Sequence, residues 1–155
     1  MSAVQVNSVY RVTDEAIYGF FRKHRDLSNF GEFKIEWEGL IYPSTEAAFQ
    51  ASKVLEQERR IPFTKMKPAK AKQQGRKLKD IRTDWEEVKV DIMYKINMIK
   101  YTQHDDAKQL LLSTGDKYLE ETNWWKDDFW GVYIGKGKNM LGKVLMKIRE
   151  ELKTN

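Results

Sequence analysis

The 155-residue sequence contains no cysteine. That excludes disulfides, thiolate metal sites and a cysteine nucleophile, and it fits a reducing compartment. Histidine is almost as scarce. His24 and His104 are far apart and lack ligand spacing, so no metal site and no cofactor is expected. No uninterrupted apolar run approaches the roughly 18 residues a membrane span needs. The opening stretch, residues 1–15, has no apolar segment of the signal-peptide kind. These absences read as a cytoplasmic protein that does not enter a membrane. No serine sits in a nucleophile elbow, and no Ser/His/Asp set stands out. There is no internal repeat, no low-complexity tract and no compositional shift that marks a second domain.

What is present is apolar residues at 41% and aromatics at 12%, with five tryptophans. A chain of this length can bury roughly 70% of its unfolded surface, enough for one core. The net charge is +5, and the excess is local. Residues 59–79 carry nine basic side chains and no acidic one. Such a block can meet phosphates, although a solvated helix face plus a loop is the readier explanation. Phe63 is its single aromatic, which argues against a base-stacking platform there.

Periodicity and punctuation predict the elements. Residues 17–21 and 33–37 read as short strands, the second alternating Phe33, Ile35 and Trp37 with Lys34 and Glu36. Glu38-Gly39 makes a turn, and residues 40–42 return as a hairpin partner until Pro43 stops them. Ser44 or Thr45 caps a helix expected to reach Arg59. Pro68 opens a helix to about residue 79. Thr83, with Glu86 three residues on, forms a capping box for the longest helix, to about residue 101. A short helix at 105–113 ends at Gly115, and residues 117–122 look extended. The last helix, 139–152, carries an apolar stripe of Leu141, Val144, Leu145, Ile148 and Leu152. The expected fold class is α+β: one helix-dominated domain over residues 1–155, core 18–151, with a small antiparallel β element.

Three segments carry candidate chemistry. On the helix after Pro43, Glu46, Gln50, Lys53 and Gln57 share one face, with alanines opposite. Periodicity alone makes that face solvated. In the second segment, Trp124, Trp125, Phe129 and Trp130 surround Asp127 and Asp128. Acids among aromatics are partly desolvated, which suits proton transfer; a loop folded onto the core with its acids outward explains the pattern as well. In the third, Gly131, Gly135 and Gly137 precede Asn139 and a helix start. That spacing is neither a Walker A loop nor a dinucleotide fingerprint.

Together these stretches resemble the YbiA-like N-glycosidase family, also called the NADAR domain. The resemblance rests on Leu27-Ser28-Asn29-Phe30, on residues 39–46 ending in Glu46, and on Phe49-Gln50 with Lys53. It continues through Trp85-Glu86-Glu87-Val88-Lys89, residues 110–114, Leu119-Glu120, residues 127–131 and residues 135–146. It implies a YbiA-like fold and hydrolysis of the bond between ribose and a base. By position it implies Glu46, Asp127, Trp85 and Lys53 as catalytic residues, and Asn29, Gln50, Trp130, Gly131 and Asn139 as substrate contacts. One branch of the family acts on phosphorylated riboflavin-biosynthesis intermediates, so the implied partner is a small phosphorylated ribosyl compound. Other branches are associated with ADP-ribose, including its removal from guanine in nucleic acid. A non-catalytic ADP-ribose-binding module is the rival from another class, and retention of both Glu46 and Asp127 speaks against it. Ala47 and Ala48 stand where relatives often carry larger residues, which leaves the pocket's shape open.

Overall fold

The computed structural model describes residues 2–154; the two end positions of the expected 1–155 domain lie outside them. In chain order the elements are α1 (Ala3–Val9), β1 (Arg11–Val12), β2 (Ala16–Tyr18), a 3-10 turn (Arg22–Leu27), β3 (Ile35–Trp37) and β4 (Leu40–Tyr42). Then come α2 (Thr45–Ala51), α3 (Gln57–Arg60), a second 3-10 turn (Ile61–Lys65), α4 (Pro68–Lys77), α5 (Trp85–Gln103) and α6 (Asp105–Ser113). The chain ends with β5 (Tyr118–Glu120), β6 (Thr122–Asn123), β7 (Val132–Tyr133) and α7 (Met140–Lys153). The class is α+β, as expected. The chain forms two compact units, residues 29–105 and residues 1–28 with 106–155.

In the unit of residues 29–105, α2 is the centre. It packs against α4, α5, the β3–β4 hairpin and the second 3-10 turn. All seven of its residues are therefore buried. The hairpin is the antiparallel element the sequence predicted, with Trp37 opposite Leu40 and Gly39 at φ 90° in the turn. Pro68, Ala71 and Gly75 form the buried face of α4 at helical spacing. On α5 the buried positions include Trp85, Ile92, Met93 and Ile96, one face at helical spacing.

Two expectations fail here. The helix expected to reach Arg59 stops at Ala51. The Ser52 hydroxyl donates to the Ala48 carbonyl at 2.7 Å and accepts from Trp37 Nε1 at 2.9 Å. The Arg60 guanidinium then takes the Val54 carbonyl at 2.7 Å, so the connecting segment satisfies its backbone without a helix. The common face of Glu46, Gln50, Lys53 and Gln57 is broken with it. The capping box at Thr83 does not form either. Asp84 is the N-cap of α5, and its carboxylate faces Arg82 at 2.7 Å instead of a backbone N–H.

In the other unit, β1 and β2 pair antiparallel and β2 pairs parallel with β5. A second parallel pair joins β6 to β7. Neither parallel pairing was foreseen. The apolar stripe of α7 is buried as predicted and packs on β5. Gly142 allows that approach, because a Cβ there would lie 2.2 Å from the Leu119 carbonyl oxygen. Helix α1 buries none of its residues. Near its end Tyr10 OH meets His24 Nδ1 at 2.8 Å. The strand expected at 17–21 is shorter and shifted, Ala16–Tyr18.

Candidate active site

The N-terminus of α2 is fixed from two sides. Ser44 caps it by accepting from the Ala47 N–H at 3.1 Å. The Asn29 carbonyl accepts from both the Thr45 hydroxyl and the Glu46 N–H at 3.1 Å. The Asn29 side chain turns the other way, donating to Met93 Sδ at 3.2 Å and accepting from Asn97 Nδ2 at 3.3 Å. It belongs to a buried polar network between residue 29 and α5. Its backbone, more than its amide, sets Glu46.

Glu46 is 8% exposed and Gln50 7%. Neither lies on the wet face that periodicity suggested. A buried carboxylate needs donors, and Gln50 Nε2 supplies one to Glu46 Oε2 at 2.6 Å. Gln50 Oε1 is buried with no hydrogen-bond partner. It lies against Gly75, where a Cβ would come within 1.9 Å of it.

Lys53 lies just beyond the helix end. Its Nζ donates to the Gly75 carbonyl at 3.4 Å. Burial pushes its pKa below the ordinary lysine value; the Glu46 carboxylate opposes that shift, and the cations Arg76 and Lys89 add to it. The Lys53 carbonyl accepts from the Arg82 N–H at 2.8 Å, and the Arg82 carbonyl accepts from the Trp85 N–H at 3.3 Å. This chain of bonds ties the start of α5 to the end of α2. Trp85 packs on Phe49 with ring centroids 5.0 Å apart. Asn29, Glu46, Gln50, Lys53 and Trp85 are thus assembled within one unit. Gly75 and the Arg82 backbone complete the cluster and were not singled out from sequence. A glycine inside a helical pattern was the only available signal for the first.

The remaining candidates lie in the other unit. The aromatic loop is folded in, with none of its four large rings exposed. Trp124 stacks on Phe21 at 5.3 Å, and Phe129 meets Trp130 edge-on at 4.8 Å. Asp127 is half-buried and Asp128 exposed. Asp127 Oδ1 accepts from the Phe129 and Trp130 N–H groups at 3.1 and 2.9 Å. The Asn123 side chain brackets the Asp127 backbone, accepting from its N–H at 3.0 Å and donating to its carbonyl at 2.8 Å. Gly131 is buried against the Glu121 carbonyl, 2.1 Å from where its Cβ would be. Asn139, at φ 51°, is the N-cap of α7. Its side chain accepts from the Glu121 N–H at 3.0 Å and donates to the Leu119 carbonyl at 2.8 Å and to Tyr118 OH at 3.3 Å. Both residues hold the scaffold of their unit. Among the described residues no group of three His, Asp or Glu side chains is arranged to hold a metal ion, and no helix is long and apolar enough to cross a membrane.

Residues 10–153 match the model of the NADAR domain. The chain is 35% identical over 156 residues to the N-glycosidase YbiA of Escherichia coli, covering 96% of both proteins. It is also 35% identical over 134 residues to a riboflavin biosynthesis protein of Vibrio vulnificus, covering 83% of this chain and 36% of that longer one. The solution structure of Escherichia coli YbiA superposes with a TM-score of 0.80, covering 94% of this chain and 89% of that one.

Proposed function

Because this chain belongs to the NADAR domain family and is an N-glycosidase, we propose that it hydrolyses the ribose–base bond of a phosphorylated ribosylaminopyrimidine, the kind of intermediate found in riboflavin biosynthesis. A buried Glu46, gripped by Gln50 at 2.6 Å and close enough to Lys53 to act on its ionisation, carries this reading. The Vibrio vulnificus relative's description as a riboflavin biosynthesis protein supports the substrate class.

Breaking the C1′–N bond builds positive charge on the ribose and negative charge on the leaving nitrogen. Glu46 faces the first charge: it stabilises the oxocarbenium-like sugar and takes a proton from the attacking water. The hydroxyl joins C1′, and the base leaves with a proton. That proton is the one Glu46 took from the water. Lys53 balances the Glu46 charge and offers a contact for the 5′-phosphate. Trp85 supplies flat apolar surface for the base. Asn29 acts by holding the Glu46 backbone in place, while Gly131 and Asn139 brace the backbone of their own unit. The reaction takes place in the cytoplasm.

Mass spectrometry of the products from a ribosylaminopyrimidine phosphate tests this. Free base and ribose 5-phosphate are expected from the native protein. Glu46→Gln is expected to lose the activity by roughly a hundredfold or more, the scale of a lost acid–base group. Near-native turnover by Glu46→Gln would remove Glu46 from the mechanism.

One observation favours a second substrate, ADP-ribosylated guanine in nucleic acid. Lys65, Lys67, Lys70, Arg76, Lys77 and Lys79 are all exposed and form no ion pair among the described residues. A salt titration separates the two, since nucleic-acid binding weakens steeply with salt. A flat response leaves the small nucleotide.

A further inference from the structure

Helix α4 has a glycine where helix formation alone would not place one. Gly75 lies two residues before the end of α4, and its φ is not in the left-handed region. Glycine is the poorest helix former after proline, so neither turn geometry nor propensity explains it. Packing does. A Cβ at this position would sit 1.9 Å from Gln50 Oε1, 2.5 Å from Cδ and 2.9 Å from Cγ. Those three atoms are the inner part of the side chain as well as its tip. Gln50 would have to leave its rotamer to make room, and α2 is buried on every side.

The amide of Gln50 has one orientation here. Its nitrogen faces Glu46 Oε2 at 2.6 Å, and a carboxylate only accepts, so the oxygen is the atom turned to Gly75. That oxygen has no hydrogen-bond partner. The bare Cα of Gly75 is what lets it approach. The same residue's carbonyl accepts from Lys53 Nζ.

We propose that Gly75 is the positioning residue of the active site: its missing side chain seats the Gln50 amide, which orients the Glu46 carboxylate and keeps it ionised, while its carbonyl holds the Lys53 amine. This makes Gln50 a positioning residue in place of a substrate contact. It rests on the role given to Glu46 above. A donor at charge-assisted distance favours the ionised carboxylate. Of the charged groups nearby, Lys53 at the end of α2 interacts with Glu46, and Lys53 in turn feels Arg76 on α4 and Lys89 on α5, the last paired with Glu86.

The experiment follows the Glu46 side-chain carboxyl by carbon NMR against pH, together with base release from a ribosylaminopyrimidine phosphate. It compares the native protein with Gly75→Ala, Gln50→Ala and the double variant. Each single variant is expected to lower kcat roughly tenfold or more with little change in KM. Each is also expected to raise the Glu46 midpoint and the acid limb of the rate profile together, by about half a unit or more. The double variant is expected to be no worse than the worse single one, because both remove the same bond. Additive losses would overturn the proposal, as would a Gly75→Ala protein with the native Glu46 midpoint and kcat. If Gly75→Ala does not fold, the double variant decides. Recovery of the fold shows that Gln50 was the obstacle, and failure to recover it refutes the positioning role. If no substrate is turned over by the native protein, the functional reading falls, while the Glu46 midpoint still reports on Gly75.

Discussion

Replacing Asn139 by alanine is expected to destabilise the protein by about 4 kcal/mol. The Leu119 carbonyl, buried with its residue, loses its side-chain donor, which costs about 2 kcal/mol. The part-buried Glu121 N–H loses its acceptor, about 1 kcal/mol more. Alanine must also hold φ near 51°, where asparagine is tolerated and alanine costs about 1 kcal/mol. For a chain of this size that sum lowers the unfolding midpoint by about 8–16 °C. Urea unfolding measures the loss directly. Asn139→Gly separates the parts, since it loses the same bonds but relieves the backbone; about 3 kcal/mol of the loss is expected to remain. Steady-state KM is expected to change little in the folded fraction. An Asn139→Ala protein within about 0.5 kcal/mol of native stability but with a raised KM would refute the reasoning. The side chain would then serve the substrate and not the clamp on β5 and β6.

Two further predictions concern titration. Burial holds the pKa of His24 below its ordinary value of 6.5, with Lys23 and Lys117 adding to the effect. The unfolded chain therefore takes up the proton first, and stability falls as pH drops below about 6.5. His24→Asn is expected to flatten that fall in urea midpoints measured between about pH 7.5 and pH 5.5; an unchanged slope would assign it elsewhere. Lys53 also has a lowered pKa, so the unfolded chain holds its proton more tightly and native stability rises with pH over the window just below 10.5. Lys53→Met is expected to be more stable than the native protein near neutral pH, with the gain shrinking towards that window, and to lose base release. A stability gain that is the same at every pH would argue that packing, not charge, is responsible.

The helices from Pro68 onward were legible to within two or three residues at each end, because a caps-and-stripe pattern survives wherever a helix has one wet face. Helix α7 is the clear case. Helix α2 was misread for the complementary reason. It is enclosed by α4, α5 and the hairpin, so no polar side exists, and Gln50 donates to Glu46 in the interior. A periodicity argument assigns such residues to solvent. The parallel pairings of β2 with β5 and of β6 with β7 join segments too short, and in the first case too distant, to leave a pattern. The site was legible only through the resemblance of its stretches to a known family. Gly75 announced itself by nothing except being a glycine in a helix, since its meaning lies in a neighbour 25 positions earlier (75 minus 50).

The pairing of β2 with β5 also sets a timetable. Ala16 meets Tyr118, 102 positions later (118 minus 16). At ribosomal rates of about 5–20 residues per second, β2 waits roughly 5–20 s for its partner to be synthesised. Residues 29–105, continuous in sequence and holding Glu46, Lys53 and Trp85, are complete before then. During translation the segment that carries the candidate carboxylate is free to fold first, and the unit that holds Asp127 assembles last, around a strand that has been waiting since the chain began.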